Sequence, residues 1–512
     1  MTWFRPEPLL LPAMIARNGR ALSKKPAVRF ADSELCWAEF DQQCRAFAGA
    51  LTASGLQPGD RVGVVMNNAL ETVVTLFGTI YGGFVAVPIN VSVSDAALAT
   101  MLLDSGARAV ITNGEHTARI ESHRDKLTGA VLVAVTEHRG WHIFGDWLTA
   151  AISASGPAAV APDDECNIIY SSGTTGLPKG IVHDHRCRAA WSYDMAVALR
   201  YHPGAITLCS LGLYSNISWV AMLATILAGG TLVVLPRFDA TDCLQQILAQ
   251  GITHSTMVPV QLQRLLAAES FDPALVRHMQ SLMCCGSPLP PVIKQAVVDA
   301  FGMAFFELYG LTEGLVTVLQ PEEMSAKLSS VGRPCPGQEI VILNVDDEPC
   351  AAGESGEIVG RGPLQMAGYH NRLDANAEAT WTDADGERWL RTGDIGKLDQ
   401  DGFLYLVDRK KDMIISGGQN IYPADIESVL AGHPDVAEVA VIGVASERWG
   451  ETPLAVVVGE IDDPTTLRDW ANDQLGKQQR ITAVVVHDAL PRNPNGKILK
   501  RELRSLFADH QW

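Results

Sequence analysis

The chain is short of positive charge. Its 512 residues carry 40 lysines and arginines against 58 aspartates and glutamates, a formal net charge of −18. A protein that grips nucleic acid by its phosphates needs a basic face, so the charge speaks against that class. A small anionic ligand is not excluded, because it feels local charge and backbone N–H groups rather than the net value. Cysteine is sparse as well. The ten thiols, at 36, 44, 166, 187, 209, 243, 284, 285, 335 and 350, include no C-x-x-C pair. That density excludes a disulfide scaffold and fits reduced thiols in a cytoplasm. Charged residues are only 19% and hydrophobic ones 47%, which excludes a disordered chain and leaves ample material for a large core. At about 150 residues per domain, three or four packing units are expected, able to fuse into two visible domains.

A membrane address is missing too. The N-terminus, Met1-Thr2-Trp3-Phe4-Arg5-Pro6, has no basic segment followed by an apolar run, so no signal peptide is expected. Residues 72–94 and 217–235 carry no charge, but Gly82-Gly83 and Gly229-Gly230 interrupt them, and Pro88 and Pro236 lie near their ends. A bilayer span needs about 20 unbroken helical residues. Written as LFGTIYGG-FVAVP and LATILAGG-TLVVLP, the two stretches are one unit used twice: a buried helix stopped by Gly-Gly, then a short β-branched strand.

Around those units the pattern alternates. Helix is expected over 39–54, 70–81 and 96–104, and strand over 61–66, 85–89 and 109–112, where the first series closes. A second series places strands at 232–235, 255–258, 281–284 and 304–308, with helices at 243–250, 260–267 and 291–301. Apolar strands alternating with amphipathic helices imply parallel sheets covered on both faces, hence an α/β fold of two packed, doubly wound subdomains. Past residue 330 the texture becomes Gly- and Pro-rich, with short alternating strands over 331–362 and a hairpin over 395–407 around Asp399-Gln400-Asp401-Gly402. A charged knot follows, Asp408-Arg409-Lys410-Lys411-Asp412. Beyond it, helices at 423–430 and 466–475 and strands at 436–444, 454–458 and 481–486 suggest a small α+β domain. The expected organisation is a large domain over 1–408, including a small β-barrel-like region, a hinge at 409–412 and a small mobile lid domain over 413–512.

The chemistry concentrates in a few loops. Directly behind an apolar strand stands Tyr170-Ser171-Ser172-Gly173-Thr174-Thr175-Gly176-Leu177-Pro178-Lys179-Gly180. Glycines let backbone N–H groups converge, hydroxyls add hydrogen bonds and Lys179 adds a positive charge, which makes a phosphate cradle. It is not a Walker A loop, because Lys179 is followed by Gly180 rather than Ser or Thr. Cys285-Gly286-Ser287-Pro288 and Tyr309-Gly310-Leu311-Thr312-Glu313 likewise begin where a predicted strand ends, the side of a doubly wound sheet on which ligands bind. Glu313 beside phosphates suits Mg2+, which takes carboxylate and phosphate oxygens. His183 and His185 follow the cradle without further metal-ligand spacing and read as surface or core residues.

With these motifs the chain resembles the adenylate-forming enzymes, which comprise acyl-CoA synthetases, luciferases and peptide-synthetase adenylation domains. The matching segments are YSSGTTGLPKG, YGLTE, Arg391-Thr392-Gly393-Asp394, DRKKDMIISGGQNIYPADIE from Asp408 to Glu427, and Pro491-Arg492-Asn493-Pro494-Asn495-Gly496-Lys497. Five motifs in the family's order, over essentially the whole chain, make the likeness to this family specific, and within it the acid–CoA ligase branch is the one expected. The resemblance implies that Ser171, Ser172, Gly173, Thr174, Thr175, Gly176 and Lys179 hold the ATP phosphates. Tyr309 would line the adenine pocket, with Ser287, Pro288 and Gly310 also at the nucleotide. Thr312 would sit at phosphate and Glu313 at Mg2+. Asp394 and Arg409 would take the ribose hydroxyls, Lys411 would be the hinge, and Gly417, Gly418 and Trp449 would approach the pantetheine arm of coenzyme A. Lys497, with Thr175 and Glu313, would be catalytic, bridging the acid carboxylate and the α-phosphate.

The implied reaction has two steps. A carboxylate attacks the α-phosphate to give acyl-AMP and pyrophosphate; a thiol then attacks the acyl carbon and AMP leaves. The acid pocket would draw on Ser215, Asn216, Trp219, Gly286, Gly310 and Leu311. Relatives that activate amino acids keep an aspartate in the segment matched by Leu213–Trp219, and this chain has none. Many fatty- and aryl-CoA ligases carry a histidine there, where this chain has Ser215 or Asn216. Gly310 stands where acetate-type ligases have a pocket-shortening tryptophan, so a medium-chain fatty or aryl acid larger than propionate is expected. No carrier-protein domain follows Lys497 in the fifteen residues that remain, so free CoA is the expected thiol, in a cytoplasmic monomer or homodimer. Two other readings are an adenylate-forming enzyme with a non-CoA acceptor, luciferase-like ones included, and a catalytically silent binding protein. Intact Lys179, Glu313, Asp394 and Lys497 speak against silence.

Overall fold

The computed structural model describes residues 9–152, 154, 156–171, 178–416, 419–446, 449–476, 479–492 and 497–507. Both charge-free stretches fold as helix, glycine stop and strand. The helix Leu70–Tyr81 is buried from Thr72 to its end and stops at Gly82; Gly83 takes φ +75° and the buried strand Val85–Pro88 follows. The helix Asn216–Ala228 ends on Gly229 in the left-handed region, and Thr231–Val234 follows as a buried strand. A left-handed stop is open to glycine at no steric cost. No described helix is long and apolar enough to cross a membrane.

The two series become two sheets. In one, the parallel strands Arg61–Val65, Val85–Pro88, Ala109–Thr112, Val131–Ala134 and His142–Ile143 run beside Glu165–Ser171, and two antiparallel strands, Lys179–Asp184 and Gly368–Tyr369, complete eight. The series therefore does not close at Thr112. Val131–Ala134 and the two-residue strand His142–Ile143 continue it. The other sheet has nine strands, with Ile206–Cys209, Thr231–Val234, His254–Met257, Ser281–Cys284 and Phe305–Gly310 parallel at its centre. Its far side recruits the N-terminal strand Pro26–Phe30, parallel to Thr231–Val234. Phe40, Phe47, Phe77, Trp191, Trp219 and Met222, from helices of both series, join one core.

The chain packs as two compact units. Met1–Leu328, Pro334–Glu339 and Arg361–Leu390 form one; Ser329–Arg333, Ile340–Gly360 and Arg391–Trp512 form the other. The charged knot at 408–412 lies inside the second unit. The reason is the hairpin that enters the knot. Arg388–Leu398 pairs antiparallel with Leu404–Arg409, and Thr392 Oγ1 donates to Ile358 O at 2.8 Å. On the other side, Ala424 N donates to Asp408 at 3.0 Å, and Arg504 pairs with Asp412 at 2.7 Å. The barrel-like region is a five-stranded sheet that includes this hairpin. The C-terminal α+β part is a second five-stranded sheet around Val436–Ser446 and Gly450–Gly459. Val441, Ala455 and Val457 face one apolar cluster and Ala440, Ile442, Leu454 and Val456 face another, the period-2 alternation of a sheet covered on both sides.

Candidate active site

Two strands flank the phosphate-cradle motif. Glu165–Ser171 and Lys179–Asp184 run antiparallel, with Ser171 opposite Lys179. The cradle does begin at the carboxyl end of a parallel strand, as expected, but the chain returns as a strand instead of entering a helix. The β-branched pair Ile181-Val182, both buried, was the signal for that strand. Ser172, Gly173, Thr174, Thr175 and Gly176 lie outside the described residues, so Ser171, Pro178 and Lys179 are the parts of the cradle that are placed.

Lys179 and Glu313 meet through a residue that the motif analysis missed. The Lys179 ammonium lies 5.0 Å from the centre of the Tyr369 ring, and the Tyr369 hydroxyl donates to Glu313 Oε1 at 3.0 Å. Tyr369 is held in register opposite Ile181, in the strand next to the cradle's own. A Gly-Tyr pair at 368–369 was its only sequence mark. Burial and the neighbouring Glu313 carboxylate both push the Tyr369 phenol up, so it stays a donor. The loop that carries Glu313 turns on Gly314, at φ +113°, where a Cβ would stand 2.0 Å from Leu364 O. That close approach lets Met366 N donate to Glu313 O at 2.9 Å.

Thr312 is anchored from the opposite side. Its carbonyl lies 2.7 Å from His183 Nε2, and His183 Nδ1 lies 3.2 Å from Arg188 Nη2. Of the two readings left open, surface or core, His183 and His185 both take the core; burial pushes His185 down to about 4 and holds His183 well below its usual value. Tyr309 is half-buried and pairs with Thr317 across the sheet; Gly310 is exposed, and a Cβ there would lie 2.7 Å from Leu315 O. The close approach of that carbonyl therefore requires Gly310 in this backbone. Leu311 N donates to Leu315 O at 3.1 Å.

The residues expected around the acid divide into two sets. Asn216 is half-buried, and Ser215, though buried, caps the helix by accepting from Ile217 N at 3.4 Å. Gly286 is exposed at φ +102°, and a Cβ on it would stand 3.0 Å from Ile217 Cδ1, so the 285–288 loop abuts the start of that helix. Ser287 is half-buried and Pro288 exposed in the same loop. Trp219, by contrast, has 0% exposure and donates to Leu213 O at 3.1 Å; it backs the segment from within the core.

The second unit carries the other group. Asp394 is buried on its strand directly opposite Arg409, and Arg409 Nε pairs with Asp394 Oδ1 at 3.0 Å. Lys497 lies within electrostatic reach of Arg409, Asp394, Lys411 and Asp412. Burial first, and then the positive Arg409, push its ammonium down to about 8 against the pull of Asp394. Lys411 is lowered as well, by burial and by Arg409. Trp449 is 48% exposed at the start of Gly450–Gly459. Gly417, Gly418 and residues 493–496 lie outside the described residues.

Among the described residues no cluster of three or more His, Cys, Asp or Glu forms a metal cage. Glu313 is a single hard oxygen donor next to a lysine, which fits Mg2+ only when phosphate oxygens complete its shell.

Comparison with known proteins places these motifs in context. The model of the AMP-binding enzyme family matches residues 15–370, and that of the AMP-binding enzyme C-terminal domain matches 425–497. The chain is 32% identical over 483 residues to a long-chain-fatty-acid–CoA ligase of Mycobacterium tuberculosis, covering 93% of this chain and 94% of that one. It is 34% identical over 498 residues to a feruloyl-CoA synthase of Amycolatopsis sp, covering 96% and 98%. Among solved structures, ATP-bound MatB from Rhodopseudomonas palustris superposes with a TM-score of 0.90 at 28% identity, covering 97% and 99% of the two chains.

Proposed function

Because the chain belongs to the AMP-binding enzyme family and is an ATP-dependent acid–CoA ligase, we propose that its two side-chain clusters divide the work of one two-step reaction. The enzyme uses ATP, Mg2+ and coenzyme A. The acid's carboxylate oxygen attacks the α-phosphorus and pyrophosphate leaves; the thiol then attacks the acyl carbon, losing its proton, and AMP leaves.

In the first unit, Lys179 and the hydroxyls and backbone of Ser171–Gly176 hold the phosphates, with Thr175 at the reacting end. Glu313 offers the carboxylate for Mg2+, which supplies positive charge where anion meets anion. Tyr369 touches both, its ring beside Lys179 and its hydroxyl donating to Glu313, and so fixes where each stands when the nucleotide arrives. Tyr309, Gly310, Ser287 and Pro288 border the adenine, and Thr312 the phosphates. In the second unit, Asp394 accepts from the vicinal ribose hydroxyls, both of which are donors. Arg409 holds that carboxylate in place, and Lys497 bridges the acid carboxylate and the α-phosphate. Lys411 is the pivot between half-reactions, and Gly417, Gly418 and Trp449 border the pantetheine arm.

One observation carries this reading: Lys497, from the last motif, lies beside Asp394 and Arg409, from the third and fourth. A lysine kept among other cations at a cost in solvation has a use for its charge, and an α-phosphate supplies one.

The acid is larger than propionate. Gly310 has no side chain to shorten a pocket, and the relatives named for long-chain fatty acids and for ferulate support the size. The test is an acid panel, from acetate through six- to ten-carbon and aryl acids, scored by CoA-dependent AMP formation. Acetate as the best substrate by kcat/KM refutes the size. AMP release that ignores CoA refutes the acceptor.

A further inference from the structure

Arg188 is an anomaly in the core of the first unit. It is 0% exposed, yet it carries a guanidinium. Its Nε donates to Asn167 Oδ1 at 2.7 Å, its Nη1 to Asn216 Oδ1 at 3.0 Å and its Nη2 to His183 Nδ1 at 3.2 Å, while the Trp219 ring covers one face at 4.8 Å. Every one of those partners is neutral. Burial pulls Arg188 down to about 10, and no carboxylate stands among the groups that oppose the pull. A buried cation without a buried anion is expensive, and an apolar side chain would avoid that cost.

The contacts fix the chemistry of its neighbours. The Thr312 carbonyl only accepts, so His183 carries its proton on Nε2 and receives Arg188 on a bare Nδ1. Arginine only donates, so Asn216 must turn Oδ1 toward it. Its amide NH2 then faces the other way, and no described residue accepts from it. Asn216 is half-buried at the first position of the helix Asn216–Ala228, beside the 285–288 loop. The guanidinium behind the amide makes that NH2 a stronger donor and leaves the spot electropositive.

We infer that Asn216, oriented by Arg188, selects acids whose acyl group carries a second hydrogen-bond acceptor, above all an anionic one such as a second carboxylate. This rests on the acid–CoA ligase reading and on the acid lying against Asn216. Asn216 is the contact residue and Arg188 a positioning residue that also supplies field. A plain hydrocarbon tail would strip water from the NH2 group and return no partner, a loss that sites built for a hydrogen bond use to reject analogues.

The experiment compares acids of matched length, a hydrocarbon monoacid, an oxo acid and a diacid, by kcat/KM for CoA-dependent AMP formation. The wild-type enzyme is expected to favour the oxo acid and the diacid over the hydrocarbon by about tenfold or more. Asn216→Leu should bring that ratio toward one. Asn216→Asp keeps the shape and pairs with Arg188, so folding is secure; it presents only acceptors and should turn the preference for the diacid into discrimination against it. Arg188→Gln keeps an N–H for Asn216 Oδ1 without the charge, and should retain the oxo-acid preference while losing the extra gain of the diacid. A merely structural Arg188 would lower all three acids alike. A wild-type enzyme that takes the hydrocarbon acid as well as the others, or an Asn216→Asp variant with an unchanged ratio, overturns the inference. No CoA-dependent AMP with any acid would instead bring down the ligase reading, and this one with it.

Discussion

Replacing Lys497 by methionine should make the protein more stable and the enzyme nearly inactive in its first step. Lys497 sits at about 8 where an ordinary lysine titrates at 10.5. At about 1.4 kcal/mol for each tenfold change in proton affinity, holding the ammonium in the folded chain costs about 2–3 kcal/mol, with allowance for its partial exposure. The sign follows from the direction of the shift. Below pH 8 the lysine is charged both folded and unfolded, so the full cost is present. Between about 8 and 10.5 the folded chain gives up its proton first, the unfolded chain binds more protons, and wild-type stability rises with pH. Above 10.5 neither state is charged and the cost is gone. Lys497→Met, of similar length and without charge, should therefore gain about 2–3 kcal/mol at pH 7. That advantage should shrink across the same window. Denaturant unfolding at several pH values measures it. Pyrophosphate release should meanwhile fall by about 10²–10³, the usual effect of losing a preorganised charge-stabilising donor, whereas CoA consumption from supplied acyl-AMP should persist. A variant less stable at pH 7, or a gap that does not change with pH, would refute the account of Lys497 as a cation held at a cost. Equal slowing of both half-reactions would make the residue merely structural.

Asp394→Ala should weaken ATP binding by about 1–3 kcal/mol, because two ribose hydroxyls lose their acceptor, and deoxyribose analogues should be penalised less by the variant than by the wild type in calorimetry. Tyr369→Phe keeps the ring beside Lys179 but removes the 3.0 Å bond to Glu313. It should raise the Mg2+ concentration for half-maximal Mg·ATP binding several-fold, about 1 kcal/mol, with Tm unchanged; an unaltered Mg2+ titration would detach Tyr369 from the metal. Lys411→Pro restricts the torsion a hinge must change and should slow thiolysis of acyl-AMP more than pyrophosphate release, measured separately. Gly314→Ala meets both φ +113° and the Leu364 carbonyl at 2.0 Å, so it should lose about 3 kcal/mol or more in denaturant unfolding.

The amino-acid order alone determined the local elements, the family and the residue types of the site. Helix 70–81 and strand 281–284 were legible to the residue because each is an apolar run followed by a glycine signal, Gly82-Gly83 and Gly286. Gly-Gly pairs separated buried helix from buried strand and removed the membrane alternative. Five motifs named a carboxylate, a lysine and a phosphate cradle in a definite order. What the order could not carry was juxtaposition. Nothing local tells Tyr369 that it will stand between Lys179 and Glu313, since that depends on a two-residue strand finding register against Ile181. Nor does a charged knot announce that Asp408 will accept from Ala424 N and that Asp412 will pair with Arg504. Arg188 is the sharpest case. By sequence it is one more cation, indistinguishable from Arg186 two places earlier, which ends exposed and paired with Asp163. Only packing among Asn167, His183, Asn216 and Trp219 withdraws Arg188 from water, because its side of the helix faces the core and Arg186 faces out. Secondary structure follows from interactions a few residues long, which a sequence displays; long-range register and burial decide which charges lose their solvent, and they exist only once the chain has folded.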